Sequence, residues 1–108
     1  MAREYRPRDI VIARGVTMHN DNRNSNKSRT VALVARQGED WLAVPLSSKL
    51  GSHTGEQVPA SGESGLITQS VLSSLNAQTV ANASILEGWG KVPKDIFARL
   101  VDSVEHLL

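Results

Sequence analysis

The strongest constraint on the fold is a pair of apolar runs set close together: Thr30-Val31-Ala32-Leu33-Val34-Ala35-Arg36, then Trp41-Leu42-Ala43-Val44-Pro45-Leu46. Gln37-Gly38-Glu39-Asp40 between them reads as a hairpin loop, so the runs are expected to pair as antiparallel strands. Neither run alternates apolar with polar residues, as a strand with one wet face does. Both are therefore expected to be covered on two faces, as at the centre of a small barrel. Pro45 has no N–H to offer a ladder and is expected to mark the strand's end or an edge.

The rest of the chain supplies further short elements. Asp9-Ile10-Val11-Ile12-Ala13-Arg14 is rich in β-branched residues and bounded by Pro7 and Gly15, which predicts a first strand. Residues 17–28 hold four asparagines and no apolar periodicity, the mark of a solvated loop. Loops of that length are functional or disordered. The Ser- and Gly-rich stretch from Ser47 to Ser64 reads as a long mobile loop with a short strand near Gln57-Val58. Val71 to Val80 and Ser84 to Glu87 are expected to form two later strands. From Pro93 onward Ile96, Phe97, Leu100, Val101, Val104, Leu107 and Leu108 share one helical face, opposite Lys94, Asp95, Arg99, Asp102 and Glu105. A core-packing helix is expected there, with Pro93 at its first position. Short strands, turn-rich links and this helix predict one mainly β domain over residues 1–108. Its form is a small barrel of about five or six strongly bent strands with the helix packed on it.

Composition narrows the function. The 108 residues include no cysteine, so neither a disulfide framework nor a thiolate metal site is available. Residues 1–8 are charged and lack an apolar stretch, so no secretion signal is expected, and no apolar run approaches the ~20 residues of a membrane span. A cytoplasmic protein without a membrane partner is the expectation. Net charge is +1, yet the cations crowd the first third: Arg3, Arg6, Arg8, Arg14, Arg23, Lys27, Arg29 and Arg36 stand against Glu4, Asp9 and Asp21. Clustering of this kind matters more for a nucleic-acid partner than total charge. Gly90-Lys91 lacks the flanking glycine and hydroxyl of a phosphate loop. His19, His53 and His106 are widely separated, with no ligand at metal-binding spacing, so neither a metal nor a cofactor is expected.

The order of elements resembles the MazF/PemK (Kid) family of bacterial toxins over nearly the whole chain. Arg8-Asp9-Ile10-Val11 resembles the family's opening Gly-Asp-(Ile/Leu)-(Val/Trp). Ser28-Arg29-Thr30-Val31-Ala32-Leu33-Val34 resembles its Arg-Pro-(Val/Ala)-(Val/Leu)-Ile-Val strand, and Val44-Pro45-Leu46-Ser47-Ser48 its Val-Pro-(Ile/Val)-Thr-Ser. The segment from Ser70 to Val80 resembles Asp-Ser-Val…Asp-Gln-(Ile/Pro)-Arg-Thr, with Leu75-Asn76-Ala77-Gln78-Thr79 replacing the family's acidic residue and arginine. Gly90-Lys91-Val92-Pro93 and the helix resemble the family's ending. The resemblance implies an SH3-like barrel and a homodimer that cuts single-stranded RNA without metal and is silenced by an antitoxin peptide.

Residue by residue, the resemblance makes Arg29 the catalytic arginine and Ser47 the counterpart of the catalytic threonine. Arg23, Lys27, Ser48, Lys49 and His53 are then the expected RNA contacts along the loops. A guanidinium holds two nonbridging phosphate oxygens at once, and a hydroxyl donates a further hydrogen bond to that phosphate, which is the chemistry such a cleavage needs. Two other functions stay open. One is a non-catalytic module on the same barrel, binding nucleic acid or a protein such as DNA gyrase, as the related CcdB toxins do. The other is a structural protein without a ligand.

Overall fold

A computed structural model describes residues 4–17, 28–52 and 55–107. Seven strands precede one helix: β1 (Asp9–Ala13), β2 (Arg29–Gln37), β3 (Asp40–Ser47), β4 (Gln57–Val58), β5 (Ser70–Leu72), β6 (Gln78–Ala81), β7 (Ile85–Lys91) and α1 (Lys94–Leu107). The strands form one curled antiparallel half-barrel in the order β4-β5-β3-β2-β1-β7, with β6 also paired to β3. The mainly β fold with a C-terminal helix is thus as the sequence predicts.

The hairpin β2–β3 lies at the centre and is covered on both sides, which explains its lack of alternation. Ala32, Val34, Val44 and Leu46 face one core, which Ile10, Val58, Leu66, Leu72 and Val92 share with Ile96, Leu100 and Val104 of α1. Val31, Leu33, Trp41 and Ala43 face a second core with Val11, Ala13, Val16 and Val80. Trp41, only 1% exposed, anchors that second core, and its indole N–H donates to Asn82 Oδ1 at 3.0 Å. Core residues recur every fourth position along α1, giving an apolar stripe that lies on the sheet. Pro93 sits one place earlier than expected: its carbonyl accepts the Phe97 N–H at 2.9 Å, so it caps the helix from outside. Leu108 and the Leu107 side chain lie outside the description.

Pro45 neither ends β3 nor lies at the sheet's edge. It sits within the strand, where β3 exchanges partners. Asp40–Ala43 pair with β6, whereas Leu46–Ser47 pair with β5. The Pro45 carbonyl accepts the Ser73 N–H at 3.0 Å, but the ring nitrogen returns no bond. The Ser73 carbonyl instead accepts the Asn76 N–H at 2.9 Å, opening a 3-10 turn over Ser74–Asn76. The single strand expected over Val71–Val80 is therefore two strands, broken by that turn.

The stretch from Ser47 to Ser64 is also more structured than a mobile loop. After β4, the fully buried Ser64 hydroxyl accepts from the N–H groups of Ser61 and Leu66 and donates to the Pro59 carbonyl. This knot covers the outer edge of β7, where the Glu63 carbonyl accepts the Lys91 N–H at 2.7 Å. Gly90 is required beneath it, because a Cβ there would lie 2.4 Å from the Glu63 and Ser64 carbonyl oxygens. Two bulges against β1, at Leu86 and Trp89, further interrupt the edge. Covered and bulged edges resist pairing with a foreign strand.

The turn into β1 stores strain. Arg6-Pro7-Arg8-Asp9 closes with the Asp9 N–H on the Arg6 carbonyl, and Arg8 takes φ = 82°, a conformation suited to glycine. Its contacts hold it there. The Arg8 N–H donates to the Leu33 carbonyl, Nε donates to the Val92 carbonyl at 3.0 Å, and the guanidinium meets Glu63 at 3.3 Å. Arg8→Ala keeps the strain and loses the side-chain bonds, so urea denaturation should show a loss of about 1–2 kcal/mol. Arg8→Gly relieves the strain and should be more stable than the alanine variant by about 1 kcal/mol. Equal stability of the two variants would contradict this account.

Candidate functional site

β2 begins at Arg29 and β3 ends at Ser47, so both singled-out residues stand at one end of the central hairpin. Near the turn, Gln37 pairs with Asp40, Arg36 with Trp41 and Ala35 with Leu42. A bulge at Val34 then shifts the register by one, giving Leu33↔Ala43, Ala32↔Val44 and Val31↔Pro45. The pairing of β2 with β3 ends at Val31↔Pro45, two residues short of Arg29 and of Ser47. Arg29 is flanked by Ala13 of β1, and Ser47 by Val71 of β5.

Arg29 is half-buried, with Nε shielded from solvent, and its side chain interacts with its surroundings. Ser47 is half-buried, and its Oγ accepts the Lys49 N–H at 3.1 Å. That bond occupies one acceptor position and leaves the hydroxyl proton to donate. Ser48 and Lys49 are exposed as the chain leaves β3 toward a 3-10 turn at Leu50–Ser52. Of the expected site residues, Arg29, Ser47, Ser48 and Lys49 gather at this end of the hairpin. Arg23, Lys27 and His53, with His19, lie outside the described residues. His106 belongs to the helix end. Its Nδ1 lies 2.8 Å from the Asp102 carbonyl, and that contact, with the nearby Asp102 carboxylate, raises its pKa above the ordinary 6.5.

The sequence reading names Gln78 only as a departure from the family pattern and misses the contact it makes. Gln78 pairs with Ala43 across β3–β6, on the face that carries Val31 and Arg29. Its side-chain amide grips the backbone of Thr17, just beyond β1. Oε1 accepts the Thr17 N–H at 3.0 Å, and Nε2 donates to the Thr17 carbonyl at 2.7 Å. No local pattern links the two positions, so sequence reasoning had no signal to follow. Elsewhere, a shallow depression of about 320 Å³ is lined by Gly65, Ile67, Gly88 and Trp89, with Ile67 91% exposed. It shares no lining residue with the Arg29–Ser47 end.

Among the described residues, no three His, Cys, Asp or Glu side chains gather as a metal site, and no helix is long and apolar enough to cross a membrane. Comparison with protein-family models and with curated proteins yields no match to the chain.

The Ser47 hydroxyl makes one exposed turn bond, so Ser47→Ala should lower stability by no more than about 1 kcal/mol in urea denaturation. Ser47→Thr keeps the hydroxyl, suits a strand and should leave stability unchanged. A loss several times larger in the alanine variant would make Ser47 a structural residue.

Proposed function

We propose that the chain is the toxin of a toxin–antitoxin pair, a metal-independent endoribonuclease that cuts single-stranded RNA. The observation that carries this reading is that Arg29, the first residue of β2, and Ser47, the last of β3, stand at the same end of the central hairpin. A guanidinium and a hydroxyl at one end form a donor set for a single phosphate. A second observation is the backbone at Arg8, whose positive φ suits the glycine that begins the MazF/PemK pattern.

The reaction needs little else. The ribose 2′-hydroxyl gives up its proton as its oxygen attacks the adjacent phosphorus, the 5′-oxygen takes up a proton as its bond breaks, and the products carry a 2′,3′-cyclic phosphate and a 5′-hydroxyl. Negative charge grows on the nonbridging oxygens as this proceeds. Arg29 holds two of them bidentately, and the Ser47 O–H donates a further bond, so both strengthen as the charge develops. Lys49 and Ser48 follow at the strand's exit to meet neighbouring phosphates, and Arg23, Lys27 and His53 belong to the same reading. So do a homodimer, an antitoxin peptide as partner and action in the cytoplasm.

Incubation of the purified protein with single-stranded RNA in excess EDTA tests the proposal. Wild type should leave cyclic-phosphate ends. Arg29→Ala should slow cleavage by at least about a thousandfold, and Arg29→Lys should recover little, because an ammonium cannot form the two-pronged bond. Ser47→Ala should cost about tenfold to a thousandfold, and Ser47→Thr should retain activity. Wild type that leaves varied RNAs intact would overturn the nuclease and favour a non-catalytic binding module on the same half-barrel.

A further inference from the structure

Gln78 spends its whole hydrogen-bonding capacity in one place. An amide side chain has two N–H donors and an oxygen with two lone pairs. Oε1 accepts both the Thr17 N–H, at 3.0 Å, and the Thr17 hydroxyl, at 3.3 Å. Nε2 donates to the Thr17 carbonyl at 2.7 Å and to the Asn76 carbonyl at 2.9 Å. The side chain thus imitates the edge of a strand, offering Thr17 both halves of a backbone ladder pair. It ties the exit of β1 to β6 and to the 3-10 turn before it, across 61 residues of sequence.

The position of this clamp gives it a consequence. Ala13, at the end of β1, pairs with Arg29, and Thr17 lies only a few residues beyond it. Gln78 shares the sheet face of Val31 and Arg29, yet every polar atom of its amide is already committed. We infer that Gln78 is a positioning residue: by holding Thr17 it fixes where the chain leaves β1 beside Arg29, and so governs RNA capture rather than the chemical step. This inference rests on the nuclease reading for its kinetic consequence, whereas the clamp itself does not.

Two variants and two measurements test it on the full-length protein. Gln78→Ala removes the clamp, and Gln78→Met removes its hydrogen bonds while keeping much of the side chain's reach. Hydrogen exchange should show the Thr17 amide opening at least about tenfold faster in both variants, with the Leu33 amide unchanged. Steady-state cleavage of a short mixed-sequence RNA should show KM raised about tenfold in both, with kcat within about twofold of wild type. Unchanged Thr17 exchange would overturn the inference. So would faster exchange with both kinetic constants unchanged, which makes the clamp merely structural, or a fall in kcat at constant KM, which puts Gln78 in the chemistry. A methionine variant that keeps wild-type KM would overturn it too, because packing rather than hydrogen bonding would then be at work. Faster Thr17 exchange beside a wild type that cuts no RNA would sink the nuclease and the kinetic role of Gln78 together, and leave only the clamp.

Discussion

Pro45 cannot donate a hydrogen bond, and the layout of the central strand follows from that one missing proton. Its carbonyl takes the Ser73 N–H, but the return bond of the ladder is impossible. The Ser73 carbonyl turns to Asn76 instead, and the chain swings out and comes back as β6 on the other half of β3. One strand thereby serves two partners along its length, which curls the sheet. Curling encloses the core of Val31, Leu33, Trp41 and Ala43 while α1 covers the opposite face. The same switch leaves Ser47 at the strand's end beside β5, and Gln78 at the start of β6 on the face of Arg29.

A second constraint adjusts this arrangement by a single residue. The bulge at Val34 shifts β2 against β3 by one residue, so that Val31 is opposed by Pro45 rather than Leu46. Bulges commonly re-aim a side chain in this way, and here the residue involved packs in the core under α1, which holds the offset in place. The helix and the proposed site are on opposite faces, yet the packing of one sets the register of the other. Rigid elements of this kind suit a chemistry that depends on placing two donors around one phosphate.

Much of the fold was legible in the sequence because its signals are local. The hairpin around Gly38, the doubly covered strands and the apolar stripe of α1 each follow from neighbouring residues. Pro45 was legible as an interruption but not as a partner switch, because the switch depends on Ser73 and Asn76, remote in sequence. Ser64 reads as one more loop serine until its hydroxyl is seen to organise the turn over β7. At the site, the motifs order Arg29 and Ser47 along the chain, but the register between their strands depends on a bulge that no residue type announces. The contact of Gln78 was invisible for the same reason: glutamine in a short strand carries no mark of the backbone it will bind.

The central claim is that Arg29 and Ser47 act on one phosphate as a unit. A double-mutant cycle on RNA cleavage, with Arg29→Ala, Ser47→Ala and the pair combined, measures this directly. Once the guanidinium is gone, the hydroxyl has little left to stabilise, so the account predicts a double variant within about threefold of Arg29→Ala alone. Losses that multiply would mean that the two residues act independently, and would contradict the account.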